Sequence, residues 1–296
     1  MGRIFTWGEI AEKKIPSIES FVDAKVSALS SMNGMIENGV LRGVRITGSV
    51  AEGMQTIRSD IDCLIAPIEG RESVAREQMK MLSNEITDTF HIDFAYFPYF
   101  FDGREKLSDL TLTLKGRYPL SGNVLGEDPL EILPRQNKEV RAVVVDELCS
   151  GLMGFSESAF FPDDAGERNI PLQFALESAG QIARAVQVIR GNGVDGVSYR
   201  KDDAISSLIL AFGEVGISAE YLQRLVETDS AYDLLLRGAL AGEVVKSEYE
   251  SFVTRETGRA QDAAYRVHSA TLRGLDALVG LPLSGEGQRL TPIERR

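Results

Sequence analysis

The sequence contains few of the residues that build disulfide-rich or zinc-bound proteins. Its 296 residues include two cysteines, Cys63 and Cys149, and two histidines, His91 and His268. Cys63 falls in a predicted strand and Cys149 in a predicted helix, so we expect no disulfide between them. The cysteines and histidines are too few and too scattered for a zinc site. The composition therefore excludes a disulfide scaffold and gives no indication of an oxidising compartment.

Basic residues are also scarce. The chain has 32 Lys and Arg against 44 Asp and Glu, a net charge of −12. Binding to a phosphate backbone needs a basic surface, so we expect no nucleic-acid partner, whereas a cationic ligand would suit this chain. No apolar run reaches the ~18 residues of a membrane span, and the N-terminus lacks the apolar region of a signal peptide. We therefore expect a cytoplasmic protein, monomeric or dimeric, without a membrane partner.

The chain is long enough for two domains, because a single core usually stops growing at about 250 to 300 residues. Alternating strand and helix patterns predict an α/β (α+β) domain with a mixed sheet over residues 1–133. Helical stripes predict an all-α bundle over residues 134–282, and residues 283–296 are predicted to form a mobile tail.

Individual elements follow from the periodicity of the apolar residues. Helices are predicted over residues 15–38 and 72–86, and strands over 60–66 and 89–97. The first helix is expected to bury a stripe made of Ile18, Phe21, Val22, Val26, Leu29, Met32 and Ile36. In the second half, Ser218 and Asp229 are predicted N-caps of separate helices over 221–226 and 232–240. A long final helix is predicted over about 247–279.

The stretch over residues 45–66, R-I-T-G-S-V-A-E-G-M-Q-T-I-R-S-D-I-D-C-L-I-A, carries most of the predicted chemistry. Strand side chains alternate between two faces, so Asp60 and Asp62 share one face and Ile61 the other. Neighbouring carboxylates repel each other unless a cation neutralises them, and oxygen ligands favour Mg²⁺ or Mn²⁺. The Gly48-Ser49 turn precedes a short predicted helix, whose free N–H groups would suit phosphate oxygens.

Gly48-Ser49, ten intervening residues and then Asp60-Ile61-Asp62 together resemble the signature of the polymerase-β-like nucleotidyltransferase superfamily. The alternative is a polar surface loop that ends in a solvated acidic turn, but two aspartates in a strand oppose strand propensity, as functional sites often do. The resemblance implies a third carboxylate on a neighbouring strand, which would be Asp93 in T-F-H-I-D-F-A-Y-F. Asp93 would act as a metal ligand, a general base, or both. His91 shares its predicted face but is left out of the site.

The second half resembles the C-terminal domain of streptomycin/spectinomycin-type aminoglycoside adenylyltransferases. The resemblance is carried by D-D-A-G-E-R-N over residues 163–169, by a helix containing Arg184, by the turn around Lys201, and by Tyr232 before L-L-L-R-G. It assigns the triphosphate to Lys201 and to Arg184 or Arg190, and the adenine to Tyr232. The nucleotide site would also include Gly48, Ser49 and Ser59, and the acceptor site would include Asp163, Asp164 and Glu167.

The two resemblances together imply an Mg²⁺-dependent adenylyltransferase with two metal ions that uses ATP and modifies a hydroxyl of an aminoglycoside-type antibiotic. Members that take streptomycin carry a tryptophan where Asp164 stands, and the single tryptophan of this chain is Trp7. Spectinomycin or another hydroxylated small molecule is therefore the expected acceptor. Two other classes stay open: a minimal nucleotidyltransferase of antitoxin or protein-AMPylating type, and a non-catalytic nucleotide-binding module.

Overall fold

A computed structural model of the chain describes residues 3–97, 123–132, 148–149, 151–153, 170–188, 201–274 and 277–278. The chain divides into two compact units. One comprises Lys14–Lys138 and contains the sheet; we call it the sheet unit. The other, the helical unit, comprises Arg3–Lys13 and Glu139–Arg296. The first residues thus group with the helical half, although the sequence analysis assigned them to the first domain. The predicted tail over 283–296 lies outside the described residues.

The elements are, in chain order, α1 (Trp7–Ala11), α2 (Ile18–Glu37), β1 (Leu41–Thr47), α3 (Gly48–Glu52), β2 (Ile61–Pro67), α4 (Glu72–Phe90), β3 (Phe94–Phe97), β4 (Val124–Gly126), α5 (Pro129–Ile132), α6 (Ile170–Gln187), α7 (Lys201–Glu214), α8 (Glu220–Leu240) and α9 (Lys246–Arg273). Among the described helices, none is both long and apolar enough to cross a membrane. Cys63 and Cys149 are both free thiols.

The sheet has four strands in the order β3-β2-β1-β4. β1 runs antiparallel to β2 and to β4, whereas β2 and β3 are parallel. A parallel pair cannot be joined by a hairpin, and α4 supplies the crossover that it needs. The predicted combination of a mixed α/β sheet with a helical second half is confirmed.

One face of the sheet forms the core of the sheet unit. Ile61, Cys63 and Ile65 of β2 are fully buried in one cluster with Phe21 of α2 and Met79 of α4. The predicted alternation is confirmed around Asp62, which stays half-buried between Ile61 and Cys63, whereas Leu64 and Ala66 on the face of Asp62 are buried too. The chemistry of the strand is consequently confined to its other face.

The predicted apolar stripe of α2 is only partly buried: Phe21 and Met32 lie in the core and Leu29 and Ile36 pack against it, but its other three residues do not. The helix begins at Ile18 because the Ser17 and Ser20 hydroxyls each accept the other residue's backbone N–H. Its buried residues are Phe21, Ala24, Ala28, Met32 and Met35, whereas Ile18, Val22 and Val26 are exposed. Both sets fit a 3.6-residue period. The buried face includes two small alanines, which let the helix lie close to the sheet. A pattern of large apolar residues alone does not identify that face.

The boundary between α4 and β3 also differs from the prediction. α4 continues to Phe90, which packs against the core one turn beyond Ile86. His91 ends the helix in the left-handed region, at φ 59°, and its N–H donates to the Thr87 carbonyl. The strand therefore covers only Phe94–Phe97, and Asp93 lies immediately before it. Residues 89–93, predicted as strand, form the end of the helix and a short connection.

In the helical unit, α6 packs against α7, α8 and α9, and α8 packs against α9. The prediction of two short helices over 221–240 was wrong, because α8 is continuous. Asp229 is buried in its middle and is not an N-cap, while the Ser230 hydroxyl donates back to the Val226 carbonyl. Such polar residues often mark a helix start, but here their tertiary environment keeps them inside one helix. The Ser218 hydroxyl does accept the Glu220 N–H at the helix start, at 3.4 Å.

Two tyrosines of the helical unit form hydrogen bonds with the N-terminal segment. The Phe5 N–H donates to the Tyr232 hydroxyl, and the Tyr249 hydroxyl donates to the Phe5 carbonyl, both at 2.7 Å. The two hydroxyl oxygens lie 2.9 Å apart. Phe5, Tyr232 and Tyr249 are therefore joined in a closed ring of hydrogen bonds. The Trp7 ring packs against Tyr249 with the ring centroids 5.7 Å apart.

Candidate functional site

The turn between β1 and α3 requires glycine at position 48. Gly48 has φ +73°, in the left-handed region that side chains other than glycine rarely adopt. A Cβ atom at this position would lie 2.6 Å from Oδ2 of Asp62. The backbone of the predicted phosphate-binding turn therefore lies directly against a carboxylate of the predicted acid pair. Both features were predicted within one stretch of the sequence, and the structure places them against each other.

Thr47 is a further residue of this turn, and the sequence analysis did not identify it. It pairs with Asp62 across the antiparallel strands, so the two side chains share a face of the sheet. Thr47 is fully buried, and within the described part of the chain its hydroxyl has no hydrogen-bond partner. The N-terminus of α3 receives no side-chain cap either. The signal available in the sequence was the period of two along β1.

Asp60 and Asp93 occupy equivalent positions on neighbouring parallel strands. Ile61 pairs with Phe94, and the Ile61 N–H donates to the Asp93 carbonyl at 2.9 Å. Each aspartate immediately precedes its strand, so their backbones lie side by side at the same end of the sheet. Asp60, Asp62 and Asp93 are all half-buried. The structure thus gathers the three predicted acids and Gly48 at one end of β1, β2 and β3.

Among the described residues, no group of three or more His, Cys, Asp or Glu side chains is arranged as a ready metal site. Mg²⁺ does not require such a cage, because it is usually held by one or two carboxylates together with waters and substrate phosphates. Asp60 and Asp62, next to a glycine that leaves no room for a side chain, fit this kind of donor set. The remaining ligands would come from a bound phosphate group and water.

The predicted nucleotide-binding serines have different environments. The Ser59 hydroxyl accepts the Thr56 N–H at 2.9 Å and closes the turn that leads into β2. Ser49 is half-buried in the first turn of α3, and its carbonyl accepts the Met54 N–H at 2.9 Å. Arg58, one residue before Ser59, is only 3% exposed, which the sequence analysis missed. Arginine is charged at every ordinary pH, so this turn buries a positive charge two residues before Asp60 in the chain.

Asn123 connects α3 to the edge strand of the sheet. Its side-chain amide donates to the Ala51 carbonyl at 3.0 Å, and its backbone carbonyl accepts the Ile46 N–H at 2.8 Å. Lys25 of α2 donates to the Asn123 side-chain oxygen. Partial burial lowers the pKa of Lys25 below its usual value. No local pattern predicts this connection, because it joins residues 98 positions apart.

The predicted residues of the second half belong to the helical unit. Arg184 is half-buried in α6, and Lys201 is the first residue of α7. Tyr232 is 1% exposed, and its hydroxyl belongs to the hydrogen-bonded ring with Tyr249 and Phe5. Its ring is therefore part of the core of this unit. Four further predicted residues, Asp163, Asp164, Glu167 and Arg190, lie outside the described residues.

A comparison with protein-family models and with curated proteins gave no significant match to this chain. The described residues form a mixed α/β sheet unit and a helical unit. The candidate site consists of acidic residues beside a glycine turn.

Proposed function

We propose that this protein is an Mg²⁺-dependent nucleotidyltransferase that transfers AMP from ATP to a hydroxyl of a small molecule and releases pyrophosphate. The observation that carries the proposal is the contact between Gly48 and Asp62, where the position of a Cβ lies 2.6 Å from the carboxylate. Metal-dependent phosphoryl transfer uses backbone N–H groups that bind phosphate and carboxylates that bind the metal. Both kinds of group lie together at this turn.

We assign a different role in the reaction to each of these residues of the sheet unit. Asp60 and Asp62 would hold the metal, and bound Mg²⁺ would offset the negative charge of the triphosphate. The amides that follow Gly48 would hold phosphate oxygens, and Ser49 would add its hydroxyl. Asp93 would accept the proton of the acceptor hydroxyl as that oxygen forms its bond to the α-phosphorus. The bond from the α-phosphorus to the bridging oxygen breaks, and pyrophosphate leaves.

The acceptor class rests on charge and on the resemblance of the second half. A net charge of −12 favours cationic small molecules, and Asp163, Asp164 and Glu167 would supply local negative charge. The aspartate at position 164 in place of tryptophan makes spectinomycin the first aminoglycoside-type acceptor to test. Arg184 and Lys201 stay in the proposal as triphosphate contacts. Because Tyr232 is buried and hydrogen-bonded, the proposal leaves adenine recognition to other residues.

The test is a pyrophosphate-release screen that crosses the four nucleoside triphosphates with an aminoglycoside panel in the presence of Mg²⁺. We expect turnover with ATP and one acceptor, and a loss of about 100-fold or more in Asp62→Asn. Asp88→Asn, an exposed aspartate on α4, is the matched control and should keep full activity. Turnover that survives Asp62→Asn would refute the metal assignment. Label that appears on a protein, with every antibiotic inactive, would favour the protein-AMPylating alternative.

A further inference from the structure

The turn between β1 and α3 is bonded on both sides to one residue at the edge of the sheet. Asn123, immediately before β4, accepts the Ile46 N–H on its backbone carbonyl at 2.8 Å, and its side-chain amide donates to the Ala51 carbonyl at 3.0 Å. Ile46 lies two residues before Gly48, and Ala51 is the fourth residue of α3. The segment between them contains Gly48 and Ser49, the residues to which we assign phosphate binding.

The bond to Ala51 matters because α3 is short. The helix has five residues, and a single turn of helix is marginal without contacts to the rest of the protein. Its last carbonyls have no partner within the helix, and Asn123 supplies a donor for the one on the buried Ala51. A buried carbonyl that loses its donor carries the full penalty of its desolvation. The Asn123 amide therefore fixes the position of α3 relative to β4.

Lys25 of α2 determines which way this amide points. An ammonium group can only donate, and that of Lys25 donates to the side-chain oxygen of Asn123. The amide nitrogen consequently faces the Ala51 carbonyl, where a donor is needed. The reversed amide would place its oxygen against that carbonyl and its N–H groups against the ammonium, so both contacts would be unfavourable.

Lys25 has no acidic partner among the residues that the structure describes. Its side chain is half-buried, and partial burial lowers the pKa of the ammonium group below its usual value. Burial thus disfavours the charged form, and a neutral amide offsets the lost hydration less well than a carboxylate does. A lysine at this position is therefore better explained by its effect on the amide than by a gain in stability.

We propose that Asn123 and Lys25 are positioning residues of the nucleotide site. Lys25 orients the Asn123 amide, and the amide holds α3 so that the turn at Gly48 is in place to bind phosphate. This inference rests on the proposed function, because that function gives the turn its role. Both residues act through the backbone of α3, so their loss weakens binding without removing a group that contacts the nucleotide.

Calorimetric titration of the full chain with Mg²⁺-ATP and with Mg²⁺-tripolyphosphate tests the proposal. Asn123→Asp keeps the oxygen that accepts from Lys25 but replaces the donor to Ala51 with an oxygen, so both probes should bind about tenfold more weakly. The two losses should be equal, because the turn holds phosphates and not the nucleoside. The matched control is Asn33→Asp, which adds the same charge at an exposed residue of α2 and should leave both affinities unchanged.

Substitutions of Lys25 test the orientation of the amide. Lys25→Arg retains a charged donor and should bind both probes more tightly than Lys25→Met, by about threefold or more. Circular dichroism establishes that each variant is folded during the titration, since a purely structural role would lower stability and leave the affinity of the folded protein unchanged.

Three results would overturn the positioning role while the proposed function stands. These are unchanged affinity in folded Asn123→Asp, a loss confined to Mg²⁺-ATP, and equal affinity of Lys25→Arg and Lys25→Met. If the unmodified protein binds neither probe, the proposed function itself fails, and the positioning role fails with it.

Discussion

A methyl group at position 48 gives the sharpest test of the candidate site. Gly48→Ala places a Cβ 2.6 Å from Oδ2 of Asp62. Relief of this overlap to the 3.4 Å of an ordinary contact requires a displacement of about 0.8 Å, by the carboxylate or by the turn. The alanine must also adopt φ +73°, which costs about 1 to 2 kcal/mol in an L-residue.

The two effects can be separated because the same short helix ends in a second glycine of similar conformation. Gly53 has φ +71°, and no atom lies within 4 Å of the position of its Cβ. Gly53→Ala therefore loses stability through the left-handed backbone alone and does not displace Asp62. Any further loss in Gly48→Ala reports the contact with the carboxylate alone.

Two measurements follow from this comparison. In urea unfolding, both variants should lose about 1 to 2 kcal/mol, with a further loss in Gly48→Ala. In calorimetric titration with Mg²⁺-ATP, Gly48→Ala should bind about tenfold more weakly than Gly53→Ala, because the proposed metal-binding oxygen and the proposed phosphate-binding turn are pushed apart. In the transfer reaction its rate should fall about 100-fold, since a misplacement near 1 Å has effects of that size. If both variants bind Mg²⁺-ATP like the unmodified protein, the reasoning fails.

Three further predictions concern stability. Tyr249→Phe removes the hydroxyl that donates to Phe5 and should lower the free energy of unfolding by about 2 kcal/mol in urea; an unchanged midpoint would contradict the closed ring of hydrogen bonds. Gly43→Ala places a Cβ 1.7 Å from the Glu127 backbone oxygen and should cost about 3 kcal/mol or more, measured the same way; a stable variant would refute the close β1–β4 approach. Lys25 has a pKa below its unfolded value of 10.5, so the unfolded chain binds its proton more tightly and stability should rise with pH up to about 10.5. Lys25→Met should show less of this rise, and equal slopes in the two proteins would exclude the effect.

Local patterns in the sequence predicted most of the sheet unit. The alternation along β2 predicted that Ile61 and Cys63 lie in the core and that Asp62 does not, which is what the structure has. Such a pattern is decisive because a slip of one residue would exchange the two faces of the strand. The buried face of α2 was not predictable in this way. Its apolar residues fit two faces of one helix, and the arrangement of the sheet decides between them.

The residues that sequence reasoning missed are those whose partners are distant in the chain. Arg45 is 2% exposed in the middle of β1, and it forms an ion pair with Asp128 at 2.7 Å. In the sequence prediction this arginine was only the first residue of the stretch over 45–66. A buried arginine needs a partner, but nothing near position 45 indicates that an aspartate 83 residues later would supply it.

Arg45 also bears on how the candidate site is built. It lies two residues before Thr47 on the same strand, so both side chains share the face of the sheet that carries Asp62. That face therefore contains a buried ion pair, a buried hydroxyl and a carboxylate, whereas the opposite face is apolar. A sheet that buries polar groups on one side loses stability unless each group is positioned by a partner. Asp128 supplies the partner for Arg45, so this buried ion pair forms only after β1 has paired with β4, and no single stretch of the sequence contains that information.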